Sequence, residues 1–140
     1  MGQAEARGVA TLLRGRLGTI NAVSRDAVLV SITRAHLRLT SHRLAEILNV
    51  SKRTLLTRLE HDRFPAPQKL ITWGRLVVAA QMLEDANRSA DSAARALDFP
   101  SGSAFRNTCQ RYLSATPQEI RTRGGAGFVV SEFLKSVGRA

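Results

Sequence analysis

Three histidines, one cysteine and a few serines are the residues from which catalysis or metal binding would have to be built in this 140-residue chain. Their spacing builds neither. His36, His42 and His61 form no ligand pair one helical turn apart and have no cysteine beside them, so they read as solvated or capping side chains. Cys109 is alone, which rules out an intramolecular disulfide and leaves no thiolate set for zinc. It falls on an apolar face, where a buried thiol is favoured over a nucleophile. Ser101 and Ser103 flank Gly102, but no lysine follows at phosphate-loop spacing. The expectation is a protein that is not an enzyme, with no cofactor and no metal.

Hydrogen-bonding chemistry of another kind is present in two short segments. In the first, Leu55 and Leu59 need an apolar neighbour, which turns Lys52, Arg53, Leu56 and Thr57 outward, with Arg58 beside them. In the second, Phe105 and Cys109 face inward and leave Gly102, Ser103, Arg106, Asn107 and Gln110 outside, followed by Arg111. Arginine can pair with guanine through two bonds and asparagine or glutamine with adenine, whereas serine and threonine discriminate less. Arg53, Arg106, Asn107 and Gln110 are therefore expected to read bases, with phosphate contact the competing role for the two arginines. Lys52, Arg58 and Arg111 are expected at phosphates or in solvent. The formal charge of +10 attracts polyanions, nucleic acid first and anionic membrane or acidic protein second. It is spread along the chain with no polybasic tail, which favours a folded binding surface.

The elements that must position these residues are helices. Hydrophobic residues make up 44% and aromatics only 5%, so the core is chiefly leucine, alanine, valine and isoleucine, without the alternation of strands. An N-terminal helix is expected from about Ala4 to Leu17, weakened by Gly8 and Gly15, and another from Arg25 to Leu37. Thr40 can cap a short helix holding Leu44 and Ile47, and Ser51 the next one. Pro65 and Pro67 interrupt the chain before its longest helix, Pro67 to Asp85, whose apolar residues cover more than one face and mark a buried connector. Ser89 starts a helix ending at Leu97, and another runs from Gly102 to Tyr112. Thr116, Pro117 and Glu119 form a capping box. The glycines of GGAG at 124–127 read as a flexible joint before a last amphipathic helix carrying Phe128, Val129, Phe133, Leu134 and Val137. No leader peptide and no membrane-length apolar run is apparent, so the cytosol is the expected compartment.

Two stretches share one plan. Ala45, Leu48, Asn49 and Val50 recur as Ala94, Leu97, Asp98 and Phe99. The small alanine lets helices cross closely, Asn or Asp tolerates the left-handed turn, and the next apolar residue plugs the corner. This is helix-turn-helix geometry, which offers its second helix to a DNA major groove. Either stretch alone could be an ordinary helical hairpin; two joined by a long apolar helix are far more specific.

From about Ala27 to Arg121 the sequence resembles the AraC/XylS-type DNA-binding domain. The resemblance rests on LAEILNVSKRTLLTRL, on the linker segment WGRLVVAAQMLED with Arg75, Leu76, Ala79 and Leu83, and on DFPSGSAFRNTCQRYLSATPQEIR with Phe99, Ser103, Phe105, Tyr112, Thr116, Pro117 and Arg121. It implies an all-α fold of two helix-turn-helix subdomains and a linker helix; the short helical extensions expected at both termini lie outside the resemblance and are read from their own apolar spacing. It also implies a bacterial-type transcription regulator binding double-stranded DNA through two recognition helices in successive major grooves. The corresponding boundaries are 1–23 for an N-terminal extension, 24–123 for the DNA-binding domain and 124–140 for the joint and final helix. Within the domain the first helix-turn-helix spans about 40–61, the linker 67–85 and the second about 89–112.

Departures from the family pattern fall at both turns, where glycine is usual and this chain has Asn49 and Asp98. They also fall in the recognition helices, where Thr57 and Asn107 replace arginine, and at Ser114 and Cys109, which replace a glycine and an aromatic. A linker of about 18 residues spans roughly 27 Å, compatible with major-groove faces about 34 Å apart once each hairpin's width is added. Trp73 is expected as a core anchor, and Arg75 as exposed or reaching phosphate.

The terminal helices are expected to pack back on the domain, to form a homodimer or to dock a separate sensor protein, and RNA polymerase is a further expected partner. The resulting expectation is a cytoplasmic, nucleoid-associated regulator. The competing readings are a helical module binding an acidic protein without DNA readout and, more weakly, an RNA-binding protein.

Overall fold

The computed structural model describes residues 7–11 and 20–139, and every regular element among them is helical. Most of the expected N-terminal helix lies outside the described residues; 7–11 form a helical turn that buries Val9 and Ala10. Eight helices follow: α1 (Ala22–Thr33), α2 (Ser41–Ile47), α3 (Lys52–His61), α4 (Pro67–Leu83), α5 (Ala90–Ala96), α6 (Gly102–Leu113), α7 (Pro117–Thr122) and α8 (Ala126–Ser136).

Helix α1 begins three residues before the expected start because the Asn21 side chain accepts a hydrogen bond from the Val23 amide at 2.8 Å, which caps the helix. It also ends four residues early. The chain turns after Thr33 and points Leu37 into solvent, 47% exposed, while Ala35 and Leu39 take the buried positions. Leu37 is among the apolar contacts expected of this helix; the early stop removes it from the buried face.

Helix α4 is the axis of the molecule. It begins with Pro67 at its first position, where the missing amide costs no intrahelical bond, and it touches α1, α2, α3, α5, α7 and α8. Leu70, Ile71, Leu76, Val78, Ala79, Ala80 and Leu83 are almost wholly enclosed, so it is buried on most of its circumference. Gly74 is required where α1 crosses it, since a Cβ there would overlap the Ser31 carbonyl oxygen. Trp73 is the anchor expected from the sequence. Its ring meets Tyr112 edge-on at 5.3 Å and Phe133 at 5.4 Å, which knits α4 to α6 and α8.

Of the glycines at 124–127, Gly124 and Gly125 form a tight turn and Gly127 lies in the first turn of α8. Gly124 and Gly125 have φ of 116° and 63°, the Gly125 amide bonds the Ile120 carbonyl at 2.8 Å, and the Ala126 amide bonds Glu84 Oε2 at 2.9 Å. A Cβ on Gly125 would overlap the Glu84 side chain. Glycine thus serves close approach here, not the flexibility expected from composition. The turn delivers α8 onto α4, where Val129, Val130, Phe133 and Leu134 are buried. Of the fates expected for the C-terminal helix, the structure shows packing back on the domain.

Candidate nucleic-acid interface

Both helix pairs are built from the same local chemistry. Thr40 and Ser51 cap α2 and α3 by accepting the amides of Arg43 and Thr54 at 3.1 and 3.0 Å. Ser89 and Ser101 do the same for α5 and α6 with Ser92 and Ala104, both at 3.0 Å. At the turns, Asn49 and Asp98 adopt left-handed φ of 58° and 62°. The amides of Val50 and Phe99 return to the carbonyls of Ala45 and Ala94, each at 3.0 Å, while Asn49 and Asp98 bond Glu46 and Arg95. Two bonds of this kind around one left-handed residue terminate a helix in the Schellman manner. The positions that carry glycine in the resembling family therefore keep that conformation here with Asn and Asp. Ser114, which also replaces a family glycine, has φ of 50°.

The turns repeat at an interval of 49 residues but the helix caps at 50, Ser51 and Ser101, because Pro100 adds one residue before α6. Leu55 and Leu59 of α3 then correspond to Phe105 and Cys109 of α6, and all four are buried. Thr57 corresponds to Asn107 on the outward side. Burial pushes the Cys109 thiol up to about 12, which suits a core side chain and not a nucleophile.

Nine of the ten residues singled out from the sequence are exposed: Lys52, Arg53, Thr57, Arg58, Ser103, Arg106, Asn107, Gln110 and Arg111. On α3, Arg53, Thr57 and Arg58 share an open groove with Thr54 and His61, and Lys52 and Arg53 line a second groove with Ser41 and the start of α4. On α6, Asn107, Gln110 and Arg111 line a groove of their own. Arg106 lies elsewhere on that helix, with its Nη1 3.4 Å from Asp91 Oδ1 on α5.

Gly102 is the tenth residue and is only half-buried. A Cβ at that position would overlap Asp91 Oδ1, so glycine there makes room for the carboxylate that holds Arg106. The sequence marks Asp91 only as a first-turn acid. Its contact with Gly102 and Arg106 crosses from one helix to the next, and no sequence spacing announces it. Arg75 departs from expectation in another way. It is half-buried, and its Nε is enclosed by protein, because α4 is surrounded at that level.

Three further contacts fix the heads to the frame. Ser24 Oγ on α1 donates to the Arg58 carbonyl at 3.2 Å. Arg121 on α7 donates to the carbonyls of Asp85 and Arg88 at 2.8 and 2.7 Å, clamping the link between α4 and α5. Arg38 Nε meets Asp98 Oδ2 at 2.9 Å, which joins the segment before the first unit to the turn of the second. Among the described residues no cluster of three His, Cys, Asp or Glu could hold a metal ion, and no helix is long and apolar enough to cross a membrane.

Two capped helix pairs on one buried axis, each presenting a polar outer helix, define a helix-turn-helix DNA-binding protein. The chain matches the helix-turn-helix domain family over residues 44–123, and it belongs to that family in its AraC-type form. Membership carries DNA binding in transcription regulation. Among solved structures, the crystal structure of a DNA-binding transcriptional dual regulator from Escherichia coli K-12 is similar in fold. It has a TM-score of 0.65 and 22% identity, over 74% of this chain and 92% of that one. No curated protein matches in sequence.

Proposed function

We propose that this chain binds a specific duplex sequence by placing α3 and α6 in successive major grooves on one face of DNA. The observation that carries the reading is the pair of outward helices with matching caps and turns on one buried axis. Helix α4 has 17 residues and so is about 26 Å long, which suits grooves about 34 Å apart once the hairpins extend beyond its ends. Arg53, Arg106, Asn107 and Gln110 read base edges; Lys52, Arg58 and Arg111 contact phosphates; Thr57, Ser103 and Gly102 lie close to the groove floor. Asp91 offers Arg106 an exposed ion pair at 3.4 Å, which biases its direction before DNA arrives and supports the base-reading role over phosphate contact.

The action proposed is regulatory and involves no catalytic step. Such a regulator works at the nucleoid in the cytoplasm. RNA polymerase is a further proposed partner, and a homodimer or sensor protein that docks through the terminal helices would use the polar surface of α8, because its apolar face is already covered by α4. Domain limits of 24–123 for the DNA-binding unit and 1–23 and 124–140 for its extensions belong to the same reading.

Selection from a random duplex library, followed by salt titration on the selected site, tests it. Affinity should fall steeply with salt through counterion release. Arg53→Ala and Arg106→Ala should relax base preference, whereas Lys52→Ala should weaken all sequences alike. Unchanged binding by all three variants would refute this assignment of the surface.

A further inference from the structure

A groove of about 640 Å³ opens beside the start of α4, between the ends of the two recognition helices. Phe64, Trp73 and Tyr112 contribute to its wall and Arg63, Lys69 and Arg111 to its rim, with no carboxylate among its lining residues. All three cations are exposed, and Arg139 adds a fourth nearby, its guanidinium 5.5 Å from the Phe64 ring centroid. Arg63 and Lys69 belong to no motif, and Arg63 occupies a left-handed position, φ 61°, where glycine would be the easier choice.

The position of this rim is what gives it a partner. Ala66 lines both this groove and the one that carries Lys52, Arg53 and Thr57. Arg111 in turn lies on the exposed side of α6, in the groove with Asn107 and Gln110. A strip therefore runs from the outer face of α3, where Glu60 is the one carboxylate in the adjoining groove, across the first turn of α4, to the outer face of α6. Ala66, the residue just before α4, offers no side-chain cap to the helix amides, so the middle of the strip is electropositive as well.

We infer that Arg63 and Lys69, with Arg111, form a phosphate clamp on the stretch of DNA backbone between the two major-groove contacts. The inference rests on the proposed docking of α3 and α6, and it names a surface that this docking does not require. The spacer backbone crosses the start of α4, and the clamp fixes the distance between the heads without reading a base. An acidic protein segment is the occupant that the test separates from DNA.

The test uses the full chain and a selected duplex. Arg63→Gly removes one charge in a residue that keeps its backbone conformation, and Lys69→Gln removes a second from the surface. The double variant should lower the slope of log affinity against log salt by about 1.8, about 0.9 for each phosphate left without its cation. The ranking of single-base operator variants should stay as in the wild type. Methylphosphonate linkages in the spacer of the duplex should reproduce the weakening with the wild-type protein, which keeps the result independent of folding.

If the wild type binds with a steep salt slope that neither change alters, the clamp is overturned and the docking stands. That result would leave the groove to an acidic partner. If the wild type selects no duplex, both are overturned.

Discussion

Replacing Gly74 by alanine sets two effects of opposite sign against each other. Within a helix, alanine is favoured over glycine by about 1 kcal/mol, and Gly74 sits in the middle of α4. Yet a Cβ there would lie 2.5 Å from the Ser31 carbonyl carbon and closer still to its oxygen, whereas carbon contacts normally settle at about 3.5–4.0 Å. The colliding atoms are backbone, so α1 must retreat by about 1 Å, opening gaps beside Val28, Ile32 and Leu70, which meet at this crossing.

Overpacking of this kind costs about 1–3 kcal/mol. With backbone as the obstacle, the upper part of that range applies, and the net destabilisation is about 1–2 kcal/mol after the gain in propensity. For a domain of this size that lowers Tm by about 3–8 °C. Gly127→Ala is the matched control. It is also helical but exposed, with nothing within 4 Å of the added carbon, so it should raise Tm by about 2–4 °C. Thermal melts followed by far-UV circular dichroism compare the two. If Gly74→Ala stabilises as much as Gly127→Ala, the α1–α4 packing is not tight and the rigid frame behind the DNA-binding reading loses its basis.

Ser114→Gly should stabilise the chain by about 0.5–1 kcal/mol, since it relieves a left-handed serine; a lower denaturation midpoint would contradict the strain. Arg121→Ala should cost about 1–3 kcal/mol, because the Asp85 and Arg88 carbonyls are deprived of charged donors, and urea unfolding measures it. Cys109 should resist a thiol reagent at about pH 8 in the native state and react on unfolding; rapid native labelling would contradict its burial. Its folded pKa of about 12 lies above the unfolded value near 9. The unfolded chain therefore gives up that proton first, so the stability linked to Cys109 is full below about pH 9 and falls as pH rises toward about 12. Cys109→Ala should flatten that alkaline decline.

Much of this architecture is legible from local residues. Thr40, Ser51, Ser89 and Thr116 announce helix starts because a hydroxyl can reach an amide a few residues ahead, and each does so. Asn49 and Asp98 mark turns because few other side chains tolerate left-handed backbone, and both adopt it. The i, i+4 pairs Leu55/Leu59 and Phe105/Cys109 fix the buried faces, which is why nine of the ten candidate residues emerge exposed.

The features that local residues do not announce depend on meetings between elements distant in sequence. Asp91 fills the space above Gly102, Glu84 converts a glycine run into a tight turn, and the packing around α4 encloses Arg75 Nε. The early end of α1 exposes Leu37 for a related reason: apolar periodicity continues past the point where the chain turns. The basic strip across α4 is equally hidden, because Arg63, Lys69 and Arg111 converge only once both helix pairs are docked.

Hydroxyl-radical footprinting on a duplex selected by the wild-type protein distinguishes two-headed recognition from a single contact. Protection should appear on one face of the DNA, in two segments about one helical turn apart, with loss of the segment read by α6 in Arg106→Ala and of the other in Arg53→Ala. A single protected segment indifferent to both substitutions, or no protected segment on any selected duplex, would contradict two-headed recognition.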